Sequence, residues 1–155
     1  MPDQTDAITS FEDDFRFLSN FSAMYPIPFG TWESGAPIIW KTSEHIFQAM
    51  KAGNPSDRRR IWSCNSPAGA KRLARALPRP NDWDNRRIVA MQGAIGAKFR
   101  IPEYAELLLA TGDRELIEGN TWGGVFWEQC PLGEGENMLG QILMQMREEL
   151  HGQGS

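Results

Sequence analysis

The sequence predicts a helix-rich α+β single domain with a few short antiparallel strands. Three observations carry this reading. Helix-start signals, a small polar residue followed closely by proline or an acid, recur from Thr42 onward, and apolar residues then repeat at helical spacing. Residues 11–40 are instead rich in aromatics, proline and glycine, with only short apolar runs. No internal repeat, low-complexity tract or linker divides the chain. The expected organisation is a flexible segment over 1–10, one domain over 11–150 and a flexible tail over 151–155.

Residues 11–40 are poor helix material, and Ile38-Ile39-Trp40 reads as a strand between turns. Thr42 or Ser43 caps a first short helix reaching Lys51, with Glu44 suited to the positive end of its dipole. Asn54-Pro55-Ser56-Asp57 supplies a cap, a first-turn proline and an early acid for a second helix to about Cys64. Ser66-Pro67 repeats the signal, giving a third helix over Ala68–Leu77 that Pro78 and Pro80 end. Asn81 or Asp82 caps the next, where Ile88, Met91, Ile95 and Phe99 mark Trp83–Phe99 as the longest buried helix. Pro102–Ala110 is a further short helix stopped at Gly112. Arg114–Glu118 and Val125–Trp127 read as short strands around an Asn120–Gly124 turn, and Asn137–Leu150 closes the chain as an amphipathic helix.

At 155 residues the chain can bury a core without covalent staples. Its 41% hydrophobic and 23% charged residues are ordinary for a globular protein. Neither a long apolar run nor a basic-then-apolar leader is present, so the expected location is cytoplasmic. Cys64 and Cys130 make no zinc set or disulfide framework and are expected to be buried thiols. No metal and no cofactor are expected. Residues 51–100 hold twelve Lys and Arg against three Asp and Glu, although the whole chain carries −4. Such a basic middle suits a bound phosphate, since arginine forks match phosphate oxygens. Arg58, Arg59 and Arg60 read equally well as a solvated helix face. With a pI near 5.2, a general duplex-binding surface is disfavoured.

The first helix holds the leading chemical candidates. At about 100° per residue, Gln48 lies roughly 40° from Glu44 and Lys51 roughly 20° the other way, so the three form one polar stripe. Ile46, Phe47 and Met50 fall on the opposite side. A solvated polar face is the plain alternative. Asp82 and Asp84 are lesser reactive candidates. Trp83, Trp122 and Trp127 could stack on a heterocycle or serve the core. Asn20 and Asn137 could bond a sugar or base edge, or act as turn and cap residues. Gly133, Gly135 and Gly140 miss the Rossmann spacing, and no Walker sequence, nucleophile elbow or His-Glu-x-x-His motif occurs.

Several motifs then stand in order: Phe17-Leu18-Ser19-Asn20-Phe21, Thr42-Ser43-Glu44-His45-x-Phe47-Gln48-Ala49-x-Lys51, Ser66-Pro67-Ala68-Gly69-Ala70-Lys71 and Asp82-Trp83-Asp84. Leu109-Ala110-Thr111-Gly112-Asp113, Glu118-Gly119-Asn120-Thr121-Trp122-Gly123 and Gly135-Glu136-Asn137-x-Leu139-Gly140 complete the series. Together they resemble the NADAR (YbiA-like) family over about residues 11–150.

The resemblance implies an N-glycosidase that hydrolyses a ribose C1′–N bond. Its substrate would be a phosphorylated riboside of the riboflavin pathway, a ribosylamino-pyrimidine phosphate, or an ADP-ribosyl conjugate such as ADP-ribosyl-guanine in DNA. It implies Glu44 and Lys51 as catalytic residues, with Asn20, Gln48, Arg72, Trp83, Arg87, Trp127 and Asn137 binding substrate. Expected partners are therefore a small phosphorylated riboside or ADP-ribosyl substrate, with ADP-ribosylated DNA a second prospect, and no membrane. The chain departs from the family pattern near Trp127: an acid three residues before it and a glycine after it are replaced by Gly124 and Glu128. That departure keeps open the alternative of a noncatalytic module that binds ADP-ribose or a nucleotide.

Overall fold

The computed structural model describes residues 6–119 and 136–153. The expected Asn120–Gly124 turn and Val125–Trp127 strand lie outside the described residues, as do Trp122, Gly124, Trp127, Glu128, Cys130, Gly133 and Gly135. The fold is helix-rich α+β, as the sequence predicts. The chain forms two compact units, one of Asn20–Lys98 and one combining Met1–Ser19 with Phe99–Ser155. These boundaries fall at the ends of a short helix and a long one, where composition does not change.

Within the Asn20–Lys98 unit, β1 (Ile27–Thr31) and β2 (Pro37–Trp40) form an antiparallel hairpin pairing Ile27 with Trp40. Its turn is closed by the Gly35 amide donating to the Trp32 carbonyl, at 2.8 Å, with Gly35 at φ 89°. Four helices follow: α1 (Ser43–Ala49), α2 (Pro55–Trp62), α3 (Pro67–Ala76) and α4 (Trp83–Lys98). Their starts follow the local chemistry. Thr42 Oγ1, Asn54 Oδ1 and Ser66 Oγ accept from the amides of His45, Asp57 and Gly69 at 3.1, 2.8 and 3.0 Å. Pro55 and Pro67 occupy first-turn positions where a missing amide costs nothing.

Helix α1 packs against α2, α3, α4 and β2, and every one of its seven residues is buried. The solvated-face alternative for this helix is therefore wrong. Its polar groups, Gln48 Oε1 excepted, find partners inside the fold instead. Ser43 Oγ donates to Asn20 Oδ1 at 2.7 Å, and the Glu44 amide donates to the Asn20 carbonyl at 3.1 Å. His45 lies between Thr42 Oγ1, 2.7 Å from Nδ1, and the Cys64 carbonyl, 3.0 Å from Nε2. A carbonyl can only accept, so Nε2 carries the proton and Nδ1 accepts from the threonine hydroxyl. Burial pushes the His45 pKa below 6.5, with the Cys64 bond opposing and Lys41 assisting. Cys64 itself is half-exposed at the end of α2, not the buried thiol expected.

In the second unit, the chain before Asn20 yields one helix that the composition of residues 11–40 did not suggest, a 3-10 helix at Asp13–Leu18 that buries Phe17 and Leu18. Helices α5 (Pro102–Leu109) and α6 (Met138–Gln153) pack together. At sixteen residues α6 equals α4, so α4 is not the longest helix alone. The expected flexible tail is helical as far as Gln153. Arg147 is buried and donates to Thr111 Oγ1 at 2.8 Å, tying α6 to the end of α5. The Arg114–Glu118 strand is reduced to one parallel bridge, Ile8 to Leu116. Within the segment 1–10, expected to be flexible, that bridge ties down Ile8. Ile8 is buried, its amide donates to Glu115 and its carbonyl accepts from Ile117, each at 2.8 Å.

Two outcomes test these packing arguments. Because folded His45 resists a proton that the unfolded chain accepts below 6.5, its contribution is fully present above that value. It is lost as pH falls from there through the folded pKa. His45→Gln should lower stability at pH 7 by about 1–3 kcal/mol and flatten the decline in Tm between pH 7 and 5. Thermal melts across that range measure both effects. In the second unit, a Cβ on Gly140 would collide with the Leu116 carbonyl and the Asn137 side chain. Gly140→Ala should therefore cost about 2 kcal/mol or more in chemical denaturation.

Candidate active site

The polar stripe runs from the first turn of α1 to the turn after the helix, with Glu44 and Gln48 buried and Lys51 half-buried. Glu44 is buried, and Gln48 Nε2 donates to its Oε1 at 2.7 Å. This i,i+4 pair is the one the helical spacing predicts. Gln48 is 2% exposed, yet its Oε1 has no hydrogen-bond partner among the described residues. A buried acceptor left unpaired carries a desolvation cost, which a donor on a bound ligand would relieve.

Lys51 lies two residues beyond the last α1 residue, in a tight turn whose amide donates to the Gln48 carbonyl at 3.1 Å. Its Nζ sits over two rings, 5.3 Å from the centroid of Phe47 and 5.5 Å from that of Trp83. Phe47 is thus not remote from the polar stripe as the helical projection suggested. It stands four residues before Lys51 and borders the stripe. Burial lowers the Lys51 pKa below its ordinary 10.5, Glu44 pulls it back up, and Arg79, Lys71 and Arg75 lower it further. Desolvation and like charges both favour the neutral amine, the nucleophilic form.

The remaining candidates divide. Trp83 is 3% exposed and packs on Phe47 at 5.5 Å between centroids, so its ring forms the floor beneath Lys51. Asn20 holds the start of α1 through Ser43 and the Glu44 amide, and its Nδ2 faces Met91 Sδ at 3.3 Å. Asn137 belongs to the other unit, where its side chain accepts from the Glu118 amide and donates to the Leu116 carbonyl at 3.0 and 2.9 Å. The Asn137 side chain thus bonds the backbone, the turn or cap reading that sequence left beside the ligand role, whereas the Asn20 side chain bonds the side chains of Ser43 and Met91. Arg72 is exposed on α3 and Arg87 half-buried on α4. Neither is among the charges acting on Lys51, a set sequence reading missed. The i,i+4 spacing of Lys71 and Arg75 was the available signal. Two members of the Arg58–Arg60 run are surface pairs, Arg59 with Glu33 at 4.0 Å and Arg60 with Asp57 at 3.4 Å. Asp82 pairs with Arg86 at 3.5 Å on the surface, and Asp84 is exposed. Trp127 lies outside the described residues.

Among the described residues no three His, Cys, Asp or Glu side chains converge as a metal set, and no helix is long and apolar enough to cross a membrane. A buried carboxylate beside an amine of lowered pKa defines a site suited to acid–base and nucleophilic chemistry at an electrophilic carbon. The chain belongs to the NADAR family, whose domain matches residues 10–151. It is 36% identical over 144 residues to the N-glycosidase YbiA of Escherichia coli strain K12, covering 91% of this chain and 85% of that one. The NMR structure of the E. coli protein YbiA superposes with a TM-score of 0.80 at 34% identity, covering 97% of this chain and 88% of that one. The riboflavin biosynthesis protein PYRR of Zea mays is 34% identical over 166 residues, which span 97% of this chain and 26% of that protein. N-glycosidase activity is thus a property of this family.

The charges around Lys51 give opposed predictions. Arg79→Ala removes a like charge and should raise the lysine pKa, whereas Glu44→Gln removes an opposite charge and should lower it. The pH dependence of Lys51 acylation, followed by mass spectrometry, reads both shifts. Equal midpoints in the two variants would contradict this electrostatic account.

Proposed function

We propose that this chain is an N-glycosidase that hydrolyses the C1′–N bond of a phosphorylated riboside or ADP-ribosyl conjugate. The observation that carries the reading is Lys51, an amine of lowered pKa held over two rings and acted on by Glu44. The names of its relatives, N-glycosidase and riboflavin biosynthesis protein, support the reaction class and the riboside. The exposed cations Lys71, Arg75 and Arg79 suit the phosphate oxygens.

The residues support the following sequence. Neutral Lys51 Nζ attacks C1′, and the electron pair of the C1′–N bond leaves with the base nitrogen, which takes up a proton from water. Nζ then gives one proton to Glu44. The C1′–O4′ bond opens as the Nζ lone pair forms a protonated Schiff base, and O4′ receives the proton from Glu44. Water adds to C1′, the C=N bond hydrolyses, and the sugar recloses with free lysine restored. Gln48 holds the Glu44 carboxylate in place, and its unpaired Oε1 accepts from a substrate hydroxyl or amine.

Borohydride added during turnover should attach the sugar to wild type and not to Lys51→Ala, while Glu44→Gln should slow base release by about 100-fold or more. Ribosylamino-pyrimidine phosphate and ADP-ribosylated guanine DNA, assayed in parallel, separate the two substrate types. Full turnover without an adduct would leave Lys51 an electrostatic role only. Equally small release by wild type and both variants, with ADP-ribose still bound, would establish the noncatalytic module that Gly124 and Glu128 keep open.

A further inference from the structure

The opposite side of α1 borders a cavity. It measures about 490 Å³ and lies wholly within the Asn20–Lys98 unit. Phe29 and Ile38 of the hairpin, Ala49 and Met50 at the end of α1, and Val89 and Ala90 of α4 supply its apolar walls. Neither Glu44 nor Lys51 lines it. The volume is within the range of about 300–1,000 Å³ typical of small-molecule sites. Val89, which lines this cavity, is 68% exposed and stands at its mouth.

The cavity's polar lining is cationic. Arg58 and Arg86 both line it, joined by Asn85. Arg86 is partly neutralised by Asp82 at 3.5 Å. Arg58 is different. Its neighbours in sequence, Arg59 and Arg60, have carboxylate partners, whereas Arg58 has none among the described residues and is half-buried at the cavity wall. An apolar chamber with one uncompensated guanidinium at its edge is complementary to a ligand with a flat or aliphatic apolar body and a single anionic group.

We propose that this cavity is a second ligand site, separate from the Glu44–Lys51 site, for a small aromatic or acyl anion whose carboxylate or phosphate meets Arg58. Met50 is suited to the floor, because its unbranched thioether adapts to different apolar shapes. Met50 is also the residue before Lys51, so an occupant touches the turn that carries the amine.

The test uses the full chain and three probes: 1-naphthyl phosphate, 1-naphthoate and neutral 1-naphthalenemethanol. Protein NMR titrations should show saturable shifts at Ala49, Val89 and Ala90 with the two anions. The stronger of these identifies the preferred anionic group. Arg58→Ala should weaken the anions about tenfold and leave the neutral probe nearly unchanged. Ala90→Trp should block all three by filling the chamber, and Val89→Asp, at an exposed position, should repel the anions without straining the core. Anion affinity unchanged in both Arg58→Ala and Val89→Asp would overturn the proposal. So would displacement of the probes by ribose 5-phosphate, or shifts confined to Lys51 and Trp83. Because binding is read without turnover, the outcome is independent of whether the chain cleaves a riboside.

Discussion

The Asn20–Lys98 unit depends on hiding a polar helix from water. Helix α1 carries Ser43, Glu44, His45 and Gln48 with no solvent face, and Thr42 at its cap is equally buried. Each unpaired polar group in such a place costs about 1–3 kcal/mol, so the surroundings must supply partners. Asn20, the Cys64 carbonyl and the helix's own side chains do so, which constrains the segment before β1 and the end of α2. The hairpin and three other helices enclose what those bonds fix in place. One acceptor, Gln48 Oε1, is left over in this accounting, and it lies beside the carboxylate. Among the described residues it is the one buried side-chain polar atom of α1 so left, which makes it informative.

The parts legible in sequence are those decided within a few residues. The caps at Asn54 and Ser66, the prolines after them and the pairing of Glu44 with Gln48 all depend on spacing alone. Burial of α1 was not legible, because a polar stripe has the same periodicity whether it faces water or a closed interior. Ile8 was missed for a related reason: its partner Leu116 is far along the chain, and a single bridge leaves no periodic signal. Asn137 could be placed in a loop, but only the fold shows its amide spanning Glu118 and Leu116 while its backbone turns at φ 50°. Gly140 follows from the same crowding, since the carbonyl bonded to Asn137 occupies the space of a Cβ.

The basic middle of the chain shows why charge counts and charge placement differ. Arg58, Arg59 and Arg60 are the densest run, yet Arg59 stacks on Trp32 at 4.0 Å and pairs with Glu33. The cations that influence Lys51 are dispersed at Lys71, Arg75 and Arg79. Two come from one face of α3 and the third from the segment that follows it. A helical face and a chain reversal concentrate charge that no run in sequence displays.

The order of causes at Lys51 bears on whether its amine stays reactive once a phosphate binds. A phosphate beside Lys71, Arg75 and Arg79 would cancel their repulsion and raise the lysine pKa, working against the nucleophile. Desolvation, however, is the largest cause of the shift, and the cations follow Glu44 in size. A ligand that covers the site removes more water from Nζ as it neutralises the cations, so the largest single cause strengthens while the contribution of each cation weakens. The carboxylate of Glu44 opposes both, favouring the ammonium until it accepts a proton. The Gln48 amide donates to this carboxylate at 2.7 Å and holds it in place as that acceptor. The buried amide therefore serves the lysine through the glutamate, which explains why both polar residues occupy the interior of so short a helix.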